Sequence, residues 1–367
     1  MRSNISCAAV LSFTLAACAP ASKLPQVDKS RAEAERAKQY ELVIDDHVSA
    51  WKRLHNTAYP ILRNNADFCG DRVGKSYSFK LISAGYFGDD LEEHALSAGI
   101  SKRPYVIALP EGSSAARAGV REQDVLVAVG NWNVPEDDYY RELSEQLEEQ
   151  TEDKSSLAMT FLRDGKELEV DVPLDRICDF TLVLQRKELV NAFADGKRII
   201  FTTGIMNLLR DDDELAAVIG HEMAHNTMGH MDKRLGNAAI GFVFDLLFAG
   251  IGVNTQGAFS NAAGAAYSQD FEAEADYVGL YYMYHAGYNI DDAPTVWRRM
   301  SLGNPASIQD SIMSSHPSSP ERFVALEDTI KEIREKVENG EAIAPNEGYE
   351  FNASEPEQRP DTDDTGN

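Results

Sequence analysis

The chain has 367 residues, enough for two folded units with tails, and either unit can bury a real core. Its 35 Lys and Arg against 60 Asp and Glu leave a formal net charge of −25 at pH 7. Such a balance repels phosphate backbones and anionic lipid surfaces, which argues against nucleic acid as a partner.

The N-terminus, MRSNISCAAVLSFTLAACAPASK, carries Arg2, an apolar stretch from Ile5 to Ala17 and small residues around Cys18. It is too short to span a bilayer comfortably and reads as a secretory signal. Leu15-Ala16-Ala17-Cys18 resembles the bacterial lipobox, in which the Cys thiol takes a diacylglycerol and becomes the new N-terminus. That resemblance implies a lipoprotein signal over residues 1–17, a lipid on Cys18 and a linker over 18–30. Ala19, not Asp, follows, which implies passage to the outer membrane with the body in the periplasm. An ordinary cleaved signal is the alternative. With Cys7 and Cys18 given to export, Cys69 and Cys178 remain for the folded body. An oxidising compartment and an even count suit a disulfide closing the neck of an inserted domain; two buried free thiols are the other reading.

From Ser30 to Asn56, Tyr40, Val43, Ile44, Val48, Trp51 and Leu54 recur at steps of three and four, which predicts an amphipathic helix. Beyond it the pattern shifts to short strands, SYSFKLIS, PYVIAL, DVLVAVG, SLAMTFL and ELEVDV, with RDGKE as a hairpin turn. GSSAARAGV and EDDYYRELSEQLEEQ read as helices between them. Over Lys80 to Pro173 this order resembles a bacterial PDZ domain, implying an inserted β-barrel and helix unit at 70–178 that either takes extended peptides at a sheet edge or acts as a spacer. Gln123-Asp124 departs from the usual Gly-Asp, and SAGYFGDD is the one candidate for a carboxylate-gripping loop.

Beyond Cys178 the residues read as strand, turn at Asp195-Gly196, strand and helix. A helix containing HEMAH follows, with Asp211 and Glu214 spaced as a capping box. The segment 238–253 is apolar but broken by Asp245 and glycines, which suits a buried or partner-facing hairpin, with contact to lipid as the lesser reading. Helices recur over Glu272–His285, Ala293–Met300 and Pro320–Glu338, and the acidic tail 340–367 has a disordered composition.

In HEMAH, residues 221–225, two histidines four apart share a helix face and can hold one metal ion, while Glu222 reaches a water on it. A catalytic zinc takes a third protein ligand and leaves the fourth place open. The stretch YSQDFEAEADYVG offers Glu272 and Asp276, four apart, so that one carboxylate can face the ion while the other holds an imidazole by its remaining N–H. HEMAH, EAEAD and SHPSSPER, in this order, resemble the HtpX and CAAX-prenyl-protease family of zinc metallopeptidases, of the thermolysin-like Glu-zincin group. The likeness covers Phe180 to Lys336 and the N-terminal helix.

That resemblance implies an α+β fold, with a mostly helical zincin catalytic domain built from 31–69 and 179–339 around a small β-sheet rim. It makes His221, His225 and Glu272 ligands of one Zn2+ per chain, Glu222 the general base and Asp276 the residue orienting a ligand. His316 would donate to the oxyanion or cap the zinc in a resting state; Arg322 would brace the site. His230 is left as a structural residue and Glu274 points elsewhere. The function implied is a zinc endopeptidase acting on unfolded or misassembled envelope proteins. The rivals are a non-proteolytic chaperone using the same groove and a latent protease awaiting a partner. The oligomeric state is open.

Overall fold

A computed structural model describes residues 25–136, 139–152, 154–233, 269–303, 316 and 320–346. The signal, Cys18, the 238–253 segment and the tail beyond 346 lie outside the described residues. The observed mixture of helices and sheets is α+β.

Helix α1 (Lys29–Asn64) starts where the Asp28 carboxylate accepts from the Arg31 N–H, and it buries Ile44, His47, Trp51, Leu54, Ala58 and Ile61 along one stripe. It runs past the expected end at Asn56 and through Pro60, because burial of Ala58, Ile61 and Leu62 outweighs the backbone hydrogen bond that proline deletes. Next come β1 (Val73–Ser76), β2 (Lys80–Ile82), α2 (Asp89–Ser97), β3 (Tyr105–Ala108), α3 (Ser114–Arg117), β4 (Val125–Val129) and β5 (Trp132–Asn133). Helix α4 (Tyr140–Glu152), β6 (Ser156–Arg163), β7 (Lys166–Pro173) and β8 (Asp175–Cys178) complete this region.

Its main sheet has the order β2-β3-β4-β6-β7, with β5 added on β4. Asp164 and Gly165, both at positive φ (50° and 73°), make the tight β6–β7 turn that the Asp-Gly pair predicts. The expected barrel does not close. Edge strands β2 and β7 are not paired to each other, and β1 pairs with β8 in a separate two-stranded ribbon. Leu143 and Leu147 of α4 lie in one core with Leu157, Met159 and Phe161, so a helix covers the apolar face that closure would otherwise have buried. Gln123 takes φ 69°, the left-handed conformation in which glycine is usual, and Asp124 beside it is held by both Arg163 and the Arg121 N–H. Cys69 and Cys178 form a disulfide, with Cα atoms 5.6 Å apart and 109 residues apart in sequence.

The remaining elements build the second core. Strands β9 (Thr181–Gln185), β10 (Ala192–Ala194) and β11 (Arg198–Thr202) form a sheet of order β10-β11-β9, with β11 parallel to β9 and antiparallel to β10. Helix α5 (Thr203–Leu208) leads to α6 (Asp212–Thr227); α7 (Gln269–His285) and α8 (Ala293–Gly303) pack against α6, and α9 (Pro320–Asn339) packs on α7 and α8. Asp211 caps α6 by accepting from the Glu214 N–H, but the return bond of a capping box goes one residue further back: Glu214 accepts from the Arg210 N–H at 2.6 Å. Arg299 of α8 clamps the same carboxylate, which ties α8 to the start of α6. Among the described residues no helix is long and apolar enough to cross a membrane.

Candidate metal centre

Helix α6 is buried on every side from Glu214 to Asn226, the signature of a helix at the centre of a core. His221, Glu222 and His225 are therefore internal, each 1% exposed. Helix α7 can approach only because glycines meet at the crossing: a methyl group on Gly220 would stand 2.6 Å from the Gly279 carbonyl oxygen. At that backbone distance Glu272, fully buried, reaches the histidine face.

The donor atoms converge. His221 Nε2 and His225 Nε2 are 3.1 Å apart, and Glu272 lies 3.5 Å from the first and 3.4 Å from the second. His316, entering ahead of α9, places Nδ1 3.3 Å from His221 Nε2 and 3.0 Å from Glu272 Oε1. Together His221, His225, Glu272 and His316 offer one ligand atom each, all within 4.8 Å of one another. Nitrogen and oxygen donors about 2.0–2.1 Å from a tetrahedral zinc stand about 3.3–3.5 Å apart, so these separations fit that ion closely. Imidazole nitrogens with one carboxylate are also donors that suit zinc, as they suit other first-row divalent ions.

The electrostatics point the same way. Burial works to lower His221, but hydrogen bonds to Asp276 and Glu272 overcome it and push the imidazole up to about 9. Burial, with the cationic His221 and His316 beside it, holds His225 well below its ordinary value against the upward pull of Glu272. Burial would raise Glu272, yet His316 and Arg322 keep it well below the usual carboxylate range. The centre thus keeps an ionised carboxylate and one proton-poor imidazole in a dry interior, an arrangement that a divalent cation stabilises.

Outer contacts orient the donors. Asp276 Oδ1 accepts from His221 Nδ1 at 2.8 Å, which turns Nε2 toward the centre. Arg322, only 3% exposed, donates to Asp276 through Nε at 2.7 Å and Nη2 at 2.9 Å, and its Nη1 lies 2.9 Å from Glu272. Trp297 covers this group, 4.6 Å from the His221 ring and 5.4 Å from the Arg322 guanidinium. Glu222 stands beside the donors, with Oε1 3.5 Å from His316 Nε2. Burial raises its pKa against the pull of His316 and His221, and its Oε2 is buried with no hydrogen-bond partner among the described residues.

Two residues set aside in the sequence join the cluster. His230 is fully buried, 2.9 Å from His225 Nδ1 on one side and 2.7 Å from Glu274 on the other. The spacing signals were present: Gly229, at φ 65°, folds the chain back beyond the helix end, and Glu274 follows Glu272 by two, which turns it to a different face of α7.

An HExxH helix crossed by a second helix that brings in a carboxylate has the donor pattern of a metallopeptidase centre. Residues 164–330 match the model of Peptidase family M48, from the β6–β7 turn into α9. The chain is 30% identical over 214 residues to the mitochondrial metalloendopeptidase OMA1 of Arabidopsis thaliana, covering 57% of this chain and 42% of that protein. It is 30% identical over 150 residues to the metalloprotease LoiP of Escherichia coli (strain K12), 38% of this chain and 59% of LoiP, and 29% identical over 150 residues to YcaL of the same organism, 38% of this chain and 58% of YcaL. The chain thus spans less than two thirds of the length of each. This likeness is to M48 as a whole, which is coarser than the HtpX-type membership expected from the motifs.

Proposed function

We propose that the protein is a zinc-dependent endopeptidase that cleaves unfolded or misassembled polypeptides of the cell envelope, anchored in the periplasm by lipid on Cys18. The observation that carries the peptidase reading is the convergence of His221, His225, Glu272 and His316 on one point beside a buried Glu222. His221, His225 and Glu272 would hold the zinc. When bound, the ion supplies Lewis acidity and lowers the pKa of the water it carries. Glu222, with its free Oε2 and a pKa raised by burial, takes the proton of the attacking water and passes it to the leaving amine. A structural zinc site has no use for such a base, which disfavours the chaperone reading. Strand β10 is an edge of its sheet, and the Ala194 backbone hydrogen bonds Glu222, so an extended substrate lying along this edge would bring its carbonyl to the general base.

The β-rich region would present or gate substrate. A cavity of about 910 Å³ lies between β1 and α4, lined by Val73, Lys75, Tyr77, Leu147 and Thr151, in the position that suits a peptide laid beside a strand. It lies away from the donor cluster, which is consistent with capture and not with cleavage. The envelope location rests on the lipobox resemblance and the oxidised Cys69–Cys178 pair.

The test is cleavage of casein by purified full-length protein with one equivalent of zinc, with and without Glu222→Gln. Wild-type cleavage abolished by the substitution supports the reading; equal cleavage by both proteins removes it. A second reading, latency, is favoured by His316, whose Nδ1 occupies the fourth donor place and whose Nε2 faces Glu222. Under it His316→Ala cleaves faster than wild type; a loss of activity assigns His316 to the reaction instead.

A further inference from the structure

We propose that His230 and Glu274 form a positioning chain that sets the tautomer and ring angle of His225, a role which rests on the zinc-peptidase reading. His225 can offer the Nε2 lone pair to a cation only if its proton sits on Nδ1. An acceptor within reach is His230 Nδ1, 2.9 Å away, which carries no proton when it accepts this bond. That places the His230 proton on Nε2, which faces Glu274 Oε2 at 2.7 Å. The chain of hydrogen bonds thus orients His225 and ends on a carboxylate, as His221 does directly on Asp276.

Packing fixes the relay. The His230 ring stacks on Phe271 with centroids 4.5 Å apart and planes 14° from parallel. Glu274 is about one third exposed (31%), so it ends the chain in contact with water. Neither residue touches the reacting atoms; both act through His225.

The experiment measures zinc affinity of the full-length protein by competition with a chromophoric chelator, independently of cleavage. His230→Ala is expected to weaken binding about 10–100-fold. His230→Asn, whose side-chain oxygen can accept from His225 Nδ1, recovers most of that loss. Glu274→Gln weakens binding as well, and the double variant His230→Ala/Glu274→Gln is no weaker than His230→Ala alone, since both act through one chain. Glu274→Gln, at a partly exposed position, carries the test if His230→Ala does not fold. Unchanged zinc affinity in the Glu274→Gln and His230→Ala variants, or an Asn variant as weak as the Ala variant, overturns the chain and leaves the peptidase reading standing. A wild-type protein that takes up no zinc overturns both.

Discussion

Gly220 of α6 and Gly279 of α7 meet backbone to backbone, so that a Cβ on Gly279 would lie 2.8 Å from the His221 nitrogen and one on Gly220 would lie 2.6 Å from the Gly279 carbonyl. The donors on these two helices depend on this contact. A methyl group at either position must push the axes apart against the core, and overpacking of this kind costs about 1–3 kcal/mol. Gly220→Ala and Gly279→Ala are each expected to lower the unfolding midpoint and to weaken zinc binding, because Glu272 recedes from both histidines. Denaturant titration and chelator competition on the same samples check this. Variants as stable and as tight as wild type would mean the crossing has slack that the geometry denies.

Much of the architecture can be read from the residues, and the exceptions share a cause. The Asp-Gly hairpin, the capped α6 and the HEMAH face depend on neighbours within four or five positions, and local spacing reveals such things. The continuation of α1 through Pro60 depends on what Ile61 and Leu62 meet, and the open sheet depends on α4 covering it. The glycine contact joins residues 59 positions apart (279 − 220 = 59), so either glycine alone reads only as a weak helix former. His230 reads in the sequence as a structural residue for the same reason: its meaning lies in Glu274, 44 residues on.

Arg322 faces both Asp276 and Glu272 in a buried setting, as His221 also does. Removing it strands carboxylates in a dry interior, and breaking a buried pair from one side costs about 3–5 kcal/mol. Arg322→Met is therefore expected to destabilise strongly. The loss should be larger without zinc than with it, since a divalent ion takes over part of the neutralisation at Glu272. Thermal melts with chelator and with excess zinc give the comparison; equal losses in the two conditions would separate Arg322 from the metal. Asp276→Asn keeps an acceptor for His221 but loses the charge, and zinc affinity should fall by about 10–100-fold.

The disulfide joins Cys69, just after α1, to Cys178 at the end of β8. It closes a long loop, and constraint of the unfolded chain by such a link stabilises by about 2–4 kcal/mol. Cys69→Ser/Cys178→Ser should lower stability by that amount while leaving zinc affinity within about twofold of wild type, because neither sulfur nears the donors. Reduction of the wild-type protein should reproduce the effect. A loss of zinc binding on reduction would show that the link also sets the geometry of the centre.

Asp175 supplies the pH dependence. Its carboxylate, at the start of β8, accepts from the Tyr59 hydroxyl of α1, from the Ser78 hydroxyl at 2.5 Å, and from the Ser114 hydroxyl at 2.6 Å, with Arg63 at 3.6 Å. Burial would raise its pKa, but the hydrogen bonds from Ser114, Ser78 and Tyr59 outweigh burial and hold it below the ordinary value of 3.8. A depressed carboxylate binds its proton more readily in the unfolded chain, so its stabilisation is complete above the unfolded value and is lost as pH falls through the folded one. The difference in unfolding free energy between wild type and Asp175→Asn should accordingly be constant above pH about 5 and shrink as pH drops below about 4. Urea titrations from pH 7 down to pH 3 measure it. A difference that stays flat over this range would place the proton uptake elsewhere and reduce Asp175 to a neutral link between α1 and the β-rich region.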